Sequence, residues 1–540
     1  MNDCTLKLVS VETSIDYAVI CASGKGTRLL PITKSIPKLL VNVDNSNVLT
    51  KIVNYWKKYS SKFVVIIDSA YNDMVDFYLK MLNICYEIVN VNCTNGEENS
   101  YTLSNALKDE KFNNRKILIT WCDIFPDSTI PEDIFGNENV IFTYKNFGRY
   151  EALNNSIVKK VDGNVIGIYY FSNFEQLKYF EPKMDICDCY EMNFKKFNTY
   201  EIDELTDIGD YIKLQEHIRK NANEYKTRYF NKIFDLSDNQ IAKQSTCDYG
   251  NKIITYEMAF YKHHNLDNVP KIIEFGENYY IMKKILNSKN AIDFFHSLQA
   301  DEQSNFITKL LHQLSKIHNA DFIYISKDEL INDIQIEFNE KVCNRVNNVL
   351  PLLKCFNNVK SVNDRVIVHS HEFIINHLYK KIRNHFINEA FEDHLSEKEN
   401  SEKRKYQTIH GDCHLSNILV DANHDAWFID PRGYFGETKL YGLVEYDISK
   451  IVYSLSGFDE INRNDNYFFT IDERDNMCVN ISNNVDSHLH LFEEHSKDIL
   501  ICMTILHWFG LTDYSKNNIH KCVSSYYYAI YLYHFYFMNQ

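Results

Sequence analysis

The sequence predicts two domains in tandem, an α/β doubly wound domain over residues 1–222 and an α+β domain over residues 223–540. Apolar runs of strand length alternate with helical apolar spacing up to Glu216–Glu224, the rhythm of a doubly wound sheet. After that point two adjacent strand-like runs precede a helix, another strand and then long helical patterns. A chain of 540 residues is also more than one core ordinarily holds. The charged stretch Glu216–Glu224 separates the halves without a Gly/Ser-rich linker, which reads as packed domains with a boundary near Asn223.

In the first domain, Tyr17–Ala22 is a short apolar run, read as a buried strand. It leads into Ser23-Gly24-Lys25-Gly26-Thr27-Arg28-Leu29-Leu30-Pro31, and then Ile36-Pro37-Lys38. With only 16 Gly in the chain, two in three positions carry weight. They let backbone N–H groups wrap a phosphate, and Arg28 supplies a forked donor. Leu29 stands where a third Gly would complete a dinucleotide fingerprint, so that reading fails. Helices follow at Asn47–Lys58, Asn72–Leu82 and Ser100–Leu107, and strands at Phe63–Ile67, Tyr86–Val91 and Lys116–Trp121. The last strand ends in Cys122-Asp123.

Strand, Gly-x-Gly-Thr-Arg, Pro and Pro-Lys together resemble the nucleotidyltransferase family that makes nucleotide-activated sugars and CDP-choline, over about the first 220 residues. The resemblance implies a Rossmann-like fold, with Gly24, Gly26 and Thr27 around the nucleotide. It implies Arg28 on the β/γ-phosphates and Lys38 near the α-phosphate and the incoming phosphate. Asp123 matches the family's Mg²⁺ ligand. Thr206-Asp207-Ile208-Gly209 resembles the segment bearing the second ligand, with Asp207 as that ligand and Asp203 as a rival; Asp210-Tyr211 replaces the family's Thr-Pro. Gly167–Phe171 resembles the strand lining the acceptor pocket, and Glu97–Thr102 is a base-reading candidate by position alone.

In the second domain, Phe230–Phe234 and Gln240–Ser245 read as strands, Ile254–His263 as a helix, Tyr279–Lys284 as a strand and Phe306–His318 as an apolar-striped helix. Ser396–Lys405 reads as a charged, solvated loop. Asp412 is followed five positions later by Asn417, and Asp430 comes after the strand-like segments Ile418–Val420 and Trp427–Ile429. Protein kinases use this order: an Asp that orients the attacking hydroxyl, an Asn on Mg²⁺, and a later Asp on Mg²⁺.

His410-Gly411-Asp412-Cys413-His414-Leu415-Ser416-Asn417 with Ile429-Asp430-Pro431 resembles the aminoglycoside phosphotransferase and choline kinase family. The resemblance implies a bilobal, protein-kinase-like fold, with Asp412 catalytic and Asn417 and Asp430 as Mg²⁺ ligands. Lys243 would meet the α/β-phosphates of ATP, held by Glu257, and the strand at Tyr279–Lys284 would meet adenine. Asp447 would support the catalytic loop. Leu236-Ser237-Asp238-Asn239 lacks the Gly-rich loop of protein kinases, which favours this group over them. The aromatic stripe Ser524–Met538 reads as core, with a wall or cage for a cationic substrate as the alternative.

Net charge is −15, which argues against nucleic-acid and anionic-membrane partners but not against nucleotides. The longest apolar run, Ile499–Leu511, contains His507 and is too short to span a bilayer. The 14 Cys are scattered, with Cys187-Asp188-Cys189 the one close pair, and Met1–Cys4 lacks a signal pattern, so a cytoplasmic protein with reduced thiols is expected. The combined expectation is an enzyme of two steps: ATP phosphorylates a small hydroxyl compound, a sugar or an amino alcohol such as choline. An NTP, CTP or UTP, then gives its nucleotidyl group to the product, with Mg²⁺ or Mn²⁺ at both sites. Two unlinked activities, or a nucleotide-binding scaffold with one inactive half, are the alternatives; the oligomeric state is left open.

Overall fold

Tyr17–Cys21 is an interior strand of a seven-stranded sheet. The computed structural model describes residues 14–44, 46–91, 99–153, 155–175, 185–188, 196–220, 230–368, 370–392, 403–463 and 469–538. The chain divides into two units, Met1–Ala222 with Asn517–Ile519, and Asn223–Lys516 with His520–Gln540.

In the first unit the sheet runs, edge to edge, Asn198–Glu201, Val140–Thr143, Val165–Phe174, Arg115–Trp121, Tyr17–Cys21, Lys62–Asp68 and Cys85–Val91. Tyr17–Cys21 pairs in parallel with both neighbours, while Val165–Phe174 is antiparallel to both of its own. The central strands are continuous apolar runs because helices such as Val48–Trp56 and Asn72–Leu82 accompany the sheet. Successive strands leave Tyr17–Cys21 in opposite directions, toward Lys62–Asp68 on one side and Arg115–Trp121 on the other. Loops after the carboxyl ends of such strands border a crevice where ligands bind in open α/β sheets.

The second unit begins with an antiparallel sheet in the order Asn231–Leu236, Gln240–Ser245, Tyr279–Lys283, Ile272–Phe275. Asp238 and Asn239, both at positive φ, make its first turn. The helix Asp248–His263 follows the second strand. The helices Ala300–His318, Lys341–Lys354, Val444–Leu455, Lys497–Tyr514 and Ile519–Phe537 make up much of the rest. One buried apolar cluster includes Ile254, Tyr280, Leu310, Cys413, Leu415, Ile418, Phe428 and Ile451, so sheet, helices and the segment after Asp412 share a core. In the aromatic helix Tyr527, Tyr528 and Tyr533 are buried.

The run Ser396–Lys405 is corrected in part. Lys403–Lys405 are no loop; they open the strand Lys403–Thr408, antiparallel to Phe322–Ser326. The remainder of that run, together with Glu97, Glu98, Cys189 and Asn223, lies outside the described residues. Among the described residues no helix is long and apolar enough to cross a membrane, and the described cysteines are free thiols.

Candidate functional site

In the first unit the chain leaves Cys21 into a loop whose shape depends on its glycines. Gly26 has φ +63°, and a Cβ there would stand 3.0 Å from Thr33 Cγ2 and 3.3 Å from Lys38 Cβ. The Thr33 hydroxyl donates to the Gly26 carbonyl (2.8 Å), curling the loop against the Lys38 segment. A Cβ at Gly24 would meet nothing within 4 Å, so that backbone is open. Thr27 and Arg28 sit in the following short turn, Thr27–Leu29, both exposed. Lys38 opens another turn, Lys38–Leu40.

Asp123 comes at the end of the neighbouring strand, Arg115–Trp121. Leu205–Asp207 pairs antiparallel with Ile124–Pro126, setting Asp207 opposite Ile124, and the Ile208 amide donates to the Asp123 carbonyl (2.9 Å). Asp207 is thereby brought beside Asp123, whereas Asp203 is exposed. Gly209 completes the arrangement. Its amide donates to Asp207 Oδ1 (2.7 Å). A Cβ on Gly209 would lie 2.9 Å from Asp207 Oδ1 and 3.3 Å from Asp123 Oδ2, so both carboxylates border one small space that a side chain would fill.

Three cations surround the pair. Lys38 Nζ bonds Asp123 Oδ2 and lies 3.5 Å from the Gly209 carbonyl. Arg28 Nη2 lies 3.8 Å from Asp123 Oδ2, with its side chain 68% exposed against 10% for Lys38. Lys213 Nζ lies 2.5 Å from Asp207 Oδ2. Sequence reasoning missed Gly209 and Lys213. The signal for Gly209 was its place between Ile208 and Asp210 in the second carboxylate segment. Lys213 had none, because its partner is known only once the helix Tyr211–Lys220 is placed. Two carboxylates around an open space fit Mg²⁺, which commonly takes one or two protein carboxylates and completes its shell with water and substrate phosphate.

In the second unit, Lys243 is buried and bonds both Glu257 oxygens at 2.9 Å, with Asp430 Oδ1 also at 2.9 Å. Burial opposes its charge, but Asp430 and Glu257 win and hold the ammonium above its ordinary pKa. The Tyr280 hydroxyl donates to Glu257 Oε2 (2.8 Å), fixing the acid that holds the lysine. Asp430 has φ +58°, a left-handed backbone that Asp tolerates better than most residues.

The loop bearing Asp412 is tied down through its amides. Asp447, buried, accepts from the His410 and Gly411 N–H groups (2.8 and 2.7 Å) and lies 3.1 Å from His318 Nε2. Burial would raise the Asp447 pKa, but the His318 hydrogen bond and the neighbouring charges lower it. Leu415 N–H donates to Ser454 Oγ (2.8 Å) and Ser416 N–H to Asp459 Oδ1 (3.0 Å). The Asn417 amide donates to the Asp412 carbonyl (2.9 Å), and the Ile429 N–H to the Asn417 carbonyl (3.0 Å). The structure thus brings Asp412, Asn417, Asp430, Lys243 and Glu257 to one place. Lys450, with Nζ 3.2 Å from Asp412 Oδ1, was not singled out in the sequence. It lies on the helix Val444–Leu455, far along the chain from Asp412. Asn417 and Asp430, oxygen donors on adjacent backbone, also fit Mg²⁺.

The comparisons with known proteins bear on the first unit. Residues 17–127 match the family model described as Nucleotidyl transferase. A bifunctional IPC transferase and DIPP synthase of Aquifex aeolicus (strain VF5) is 31% identical over 90 residues, 16% of this chain and 21% of that protein. The chain therefore spans about a fifth of the curated relative's length. Among solved structures, the CTP:phosphocholine cytidylyltransferase of Streptococcus pneumoniae is similar at 16% identity over 37% of this chain and 97% of its own, with TM-score 0.31. The inositol-1-phosphate CTP transferase of T. maritima is similar at 17% identity over 39% of this chain and 99% of its own, with TM-score 0.30. The N-terminal part of the chain thus carries a nucleotidyltransferase domain, matched over residues 17–127.

Proposed function

We propose that the chain is a bifunctional enzyme whose second domain, residues 223–540, phosphorylates a small hydroxyl compound with ATP. Its first domain, residues 1–222, then joins that phosphate to a nucleotidyl group from CTP or UTP. The observation that carries the kinase half is the buried Lys243, held by Glu257 and Asp430 in the same unit as the Asp412–Asn417 loop. This is the set of parts that phosphoryl transfer needs: a cation for the α/β-phosphates, oxygen ligands for metal, and a carboxylate for the attacking hydroxyl.

In the kinase step Lys243 holds the α/β-phosphates, and Asp412 orients the acceptor hydroxyl and takes its proton. Asn417 and Asp430 would hold Mg²⁺, which would supply charge neutralisation for the transferring phosphate. In the nucleotidyl step an oxygen of the new phosphate attacks the α-phosphorus of the NTP and pyrophosphate leaves. The nucleophile is already an anion, so the residues position and neutralise rather than remove a proton. The Gly24–Thr27 backbone cradles the triphosphate, Arg28 meets the departing pyrophosphate, and Lys38 meets the charge gathering around the α-phosphorus. Asp123 and Asp207 would hold Mg²⁺, which would supply electrostatic stabilisation of that charge. Lys38 pairs with Asp123 and Lys213 with Asp207, so both carboxylates are neutralised within the protein.

The test is a matrix of NTPs against sugar and amino-alcohol phosphates, reading pyrophosphate release, beside an ATP-dependent phosphorylation screen of the parent hydroxyl compounds. At least one phosphate that supports pyrophosphate release should also be a product of the second screen. Activity in only one screen would reduce the protein to a single enzyme. Excess EDTA should abolish both reactions and Mg²⁺ restore them; full activity in EDTA would remove the four metal ligands from the account.

A further inference from the structure

Asp430 sits on a turn that an unsupported chain would not hold. Asp430 (φ +58°) and Gly433 (φ +64°) are both left-handed. A left-handed residue with a side chain persists only where its surroundings over-determine it. The helix Asp248–His263 supports the turn from one side. The Asp430 amide donates to the Tyr261 hydroxyl (3.3 Å), and a Cβ on Gly433 would lie 3.4 Å from Phe260 Cβ and from the Tyr256 carbonyl oxygen. The turn is also stitched to the loop bearing Asp412: the Arg432 and Gly433 amides both donate to the His410 carbonyl (2.8 and 3.1 Å).

The Arg432 side chain anchors the turn from the other side. Its Nη1 and Nη2 donate to Glu337 Oε1 and Oε2 (2.8 and 2.6 Å), with 13% and 4% of the two side chains exposed. Glu337 stands on a π-helical turn, Ile336–Glu340, between the helices Lys327–Gln335 and Lys341–Lys354. Such turns recur at functional sites. Lys341 Nζ also reaches Glu337 Oε1 (2.6 Å), but burial and then Arg432 push its pKa well below the ordinary value. Arg432 is therefore the cation that holds this carboxylate. Burial opposes the Glu337 charge, and Arg432 outweighs it, keeping the carboxyl well below its usual pKa. The Tyr446 hydroxyl adds a third bond to Glu337 Oε1 (2.7 Å). The guanidinium lies 3.9 Å from the Tyr434 ring centre, and the Tyr434 ring meets that of Tyr256 at 5.0 Å, one residue before Glu257.

A buried ion pair is an inefficient way to hold a fold, since apolar residues of the same shape often hold it as well or better. What the fork supplies is direction: two parallel hydrogen bonds fix the guanidinium, and with it the backbone two residues after Asp430. That position matters because Asp430 Oδ1 lies 2.9 Å from Lys243 Nζ, and the Ile429 amide donates to the Asn417 carbonyl (3.0 Å). A shift of the turn moves the Asp430 carboxylate relative to both.

We propose that Arg432 is a positioning residue for phosphoryl transfer: held by Glu337 and stacked on Tyr434, it fixes the Asp430 carboxylate in the place where it binds metal. This rests on the kinase reading above. Arg432 touches neither nucleotide nor acceptor in this account; it acts through Asp430 alone.

The test uses the full chain with Mn²⁺ as the probe and a non-hydrolysable ATP analogue, and reads bound Mn²⁺ by electron paramagnetic resonance. Asp430→Asn is the blank, so the Mn²⁺ binding it loses relative to the wild type belongs to this site. Arg432→Lys keeps the charge without the fork, and Glu337→Gln keeps one acceptor oxygen. Each should weaken that component about 10- to 100-fold per folded molecule, the usual cost of losing a partner that orients a metal ligand. Binding at Asp123 and Asp207 should stay unchanged in the same samples. In the phosphorylation assay the Mg²⁺ concentration giving half the maximal rate should rise by a similar factor. A merely structural role would lower the melting temperature and the folded fraction while leaving the affinity of the folded molecules as it was, and that result overturns the proposal. Tyr434→Leu, which removes the stacked face and leaves both charges paired, serves where the charge variants do not fold. It should weaken the same component several-fold, and unchanged affinity there overturns the proposal equally. Identical Mn²⁺ binding in the wild type and Asp430→Asn is a different result: it takes Asp430 out of the metal site and removes the kinase reading itself.

Discussion

Gly209 matters for the atoms it lacks. The space bordered by Asp123 and Asp207 exists because no side chain stands there; an alanine Cβ would lie 2.9 Å from Asp207 Oδ1 and 3.3 Å from Asp123 Oδ2. Gly209→Ala should therefore weaken Mn²⁺ binding at this site about 10- to 100-fold while leaving the melting temperature nearly unchanged; calorimetric titration beside a thermal melt decides. Unchanged affinity would mean the metal does not use that space. Asp447 presents the opposite case, since its carboxylate is surrounded by donors. Asp447→Ala leaves the His410 and Gly411 amides buried without an acceptor, at a cost of about 3–5 kcal/mol in denaturant unfolding. Asp447→Asn retains an oxygen and should lose less. At this scale the sequence was most legible where residues stand in short contiguous motifs: Gly24, Gly26, Arg28, Asp412 and Asn417 could be singled out there, with their roles implied by the two family resemblances. Lys213 and Lys450 could not, because a lysine on a helix acquires meaning from the carboxylate it meets, and that carboxylate belongs to another segment.

Helices and strands with one clear periodicity were readable in the same way. Asn72–Leu82 has the bounds its spacing predicts. The helix Asp248–His263 begins six residues before the expected Ile254. Its first turn contains Gly250 and Asn251, poor helix formers, and Gly250 is there for contact: a Cβ would stand 2.4 Å from the Phe230 carbonyl oxygen. Lys403–Thr408 was missed as a strand because half its side chains are charged and its partner, Phe322–Ser326, is remote in sequence. The far end of Asp248–His263 yields a pH prediction. Burial, then the neighbouring His263, lower the His264 pKa from 6.5 to about 4, with Asp321 opposing. The unfolded chain takes up that proton below about pH 6.5, and the folded one does not until about pH 4. The neutral ring's contribution is intact above pH 6.5 and is lost as pH falls from 6.5 to 4, by at most about 3 kcal/mol. His264→Leu should lose less stability than the wild type between pH 7 and pH 4.5 in urea unfolding; parallel losses would show that the ring titrates normally in the fold.

Across the whole chain, the candidate residues fall into one set within Met1–Ala222 and another within Asn223–Lys516. The order of parts along the chain was legible because each set stands in short, contiguous motifs. The acceptors were not, because side chains such as Lys450 reach Asp412 from a different, later helix. Separate sets predict separable reactions. In the first unit Lys38 is largely buried against Asp123, while Arg28 is exposed. Removing a preorganised cation from such a site should cost on the order of 3 kcal/mol in the transition state, about 100-fold in rate. Binding of the NTP should suffer far less, since the Gly24–Thr27 loop and the metal still hold the triphosphate. Lys38→Ala is therefore expected to keep near-normal NTP affinity by calorimetry, to lose about 100-fold in pyrophosphate release, and to retain full ATP-dependent phosphorylation. Asp412→Asn should invert the pattern, losing phosphorylation while releasing pyrophosphate normally when the phosphorylated acceptor is supplied. Measuring both reactions in both variants gives a two-by-two result. A folded variant in which both reactions fall together would mean that the two sets form one coupled site, and an unchanged release rate in Lys38→Ala would return Lys38 to the role of a lysine that merely neutralises Asp123.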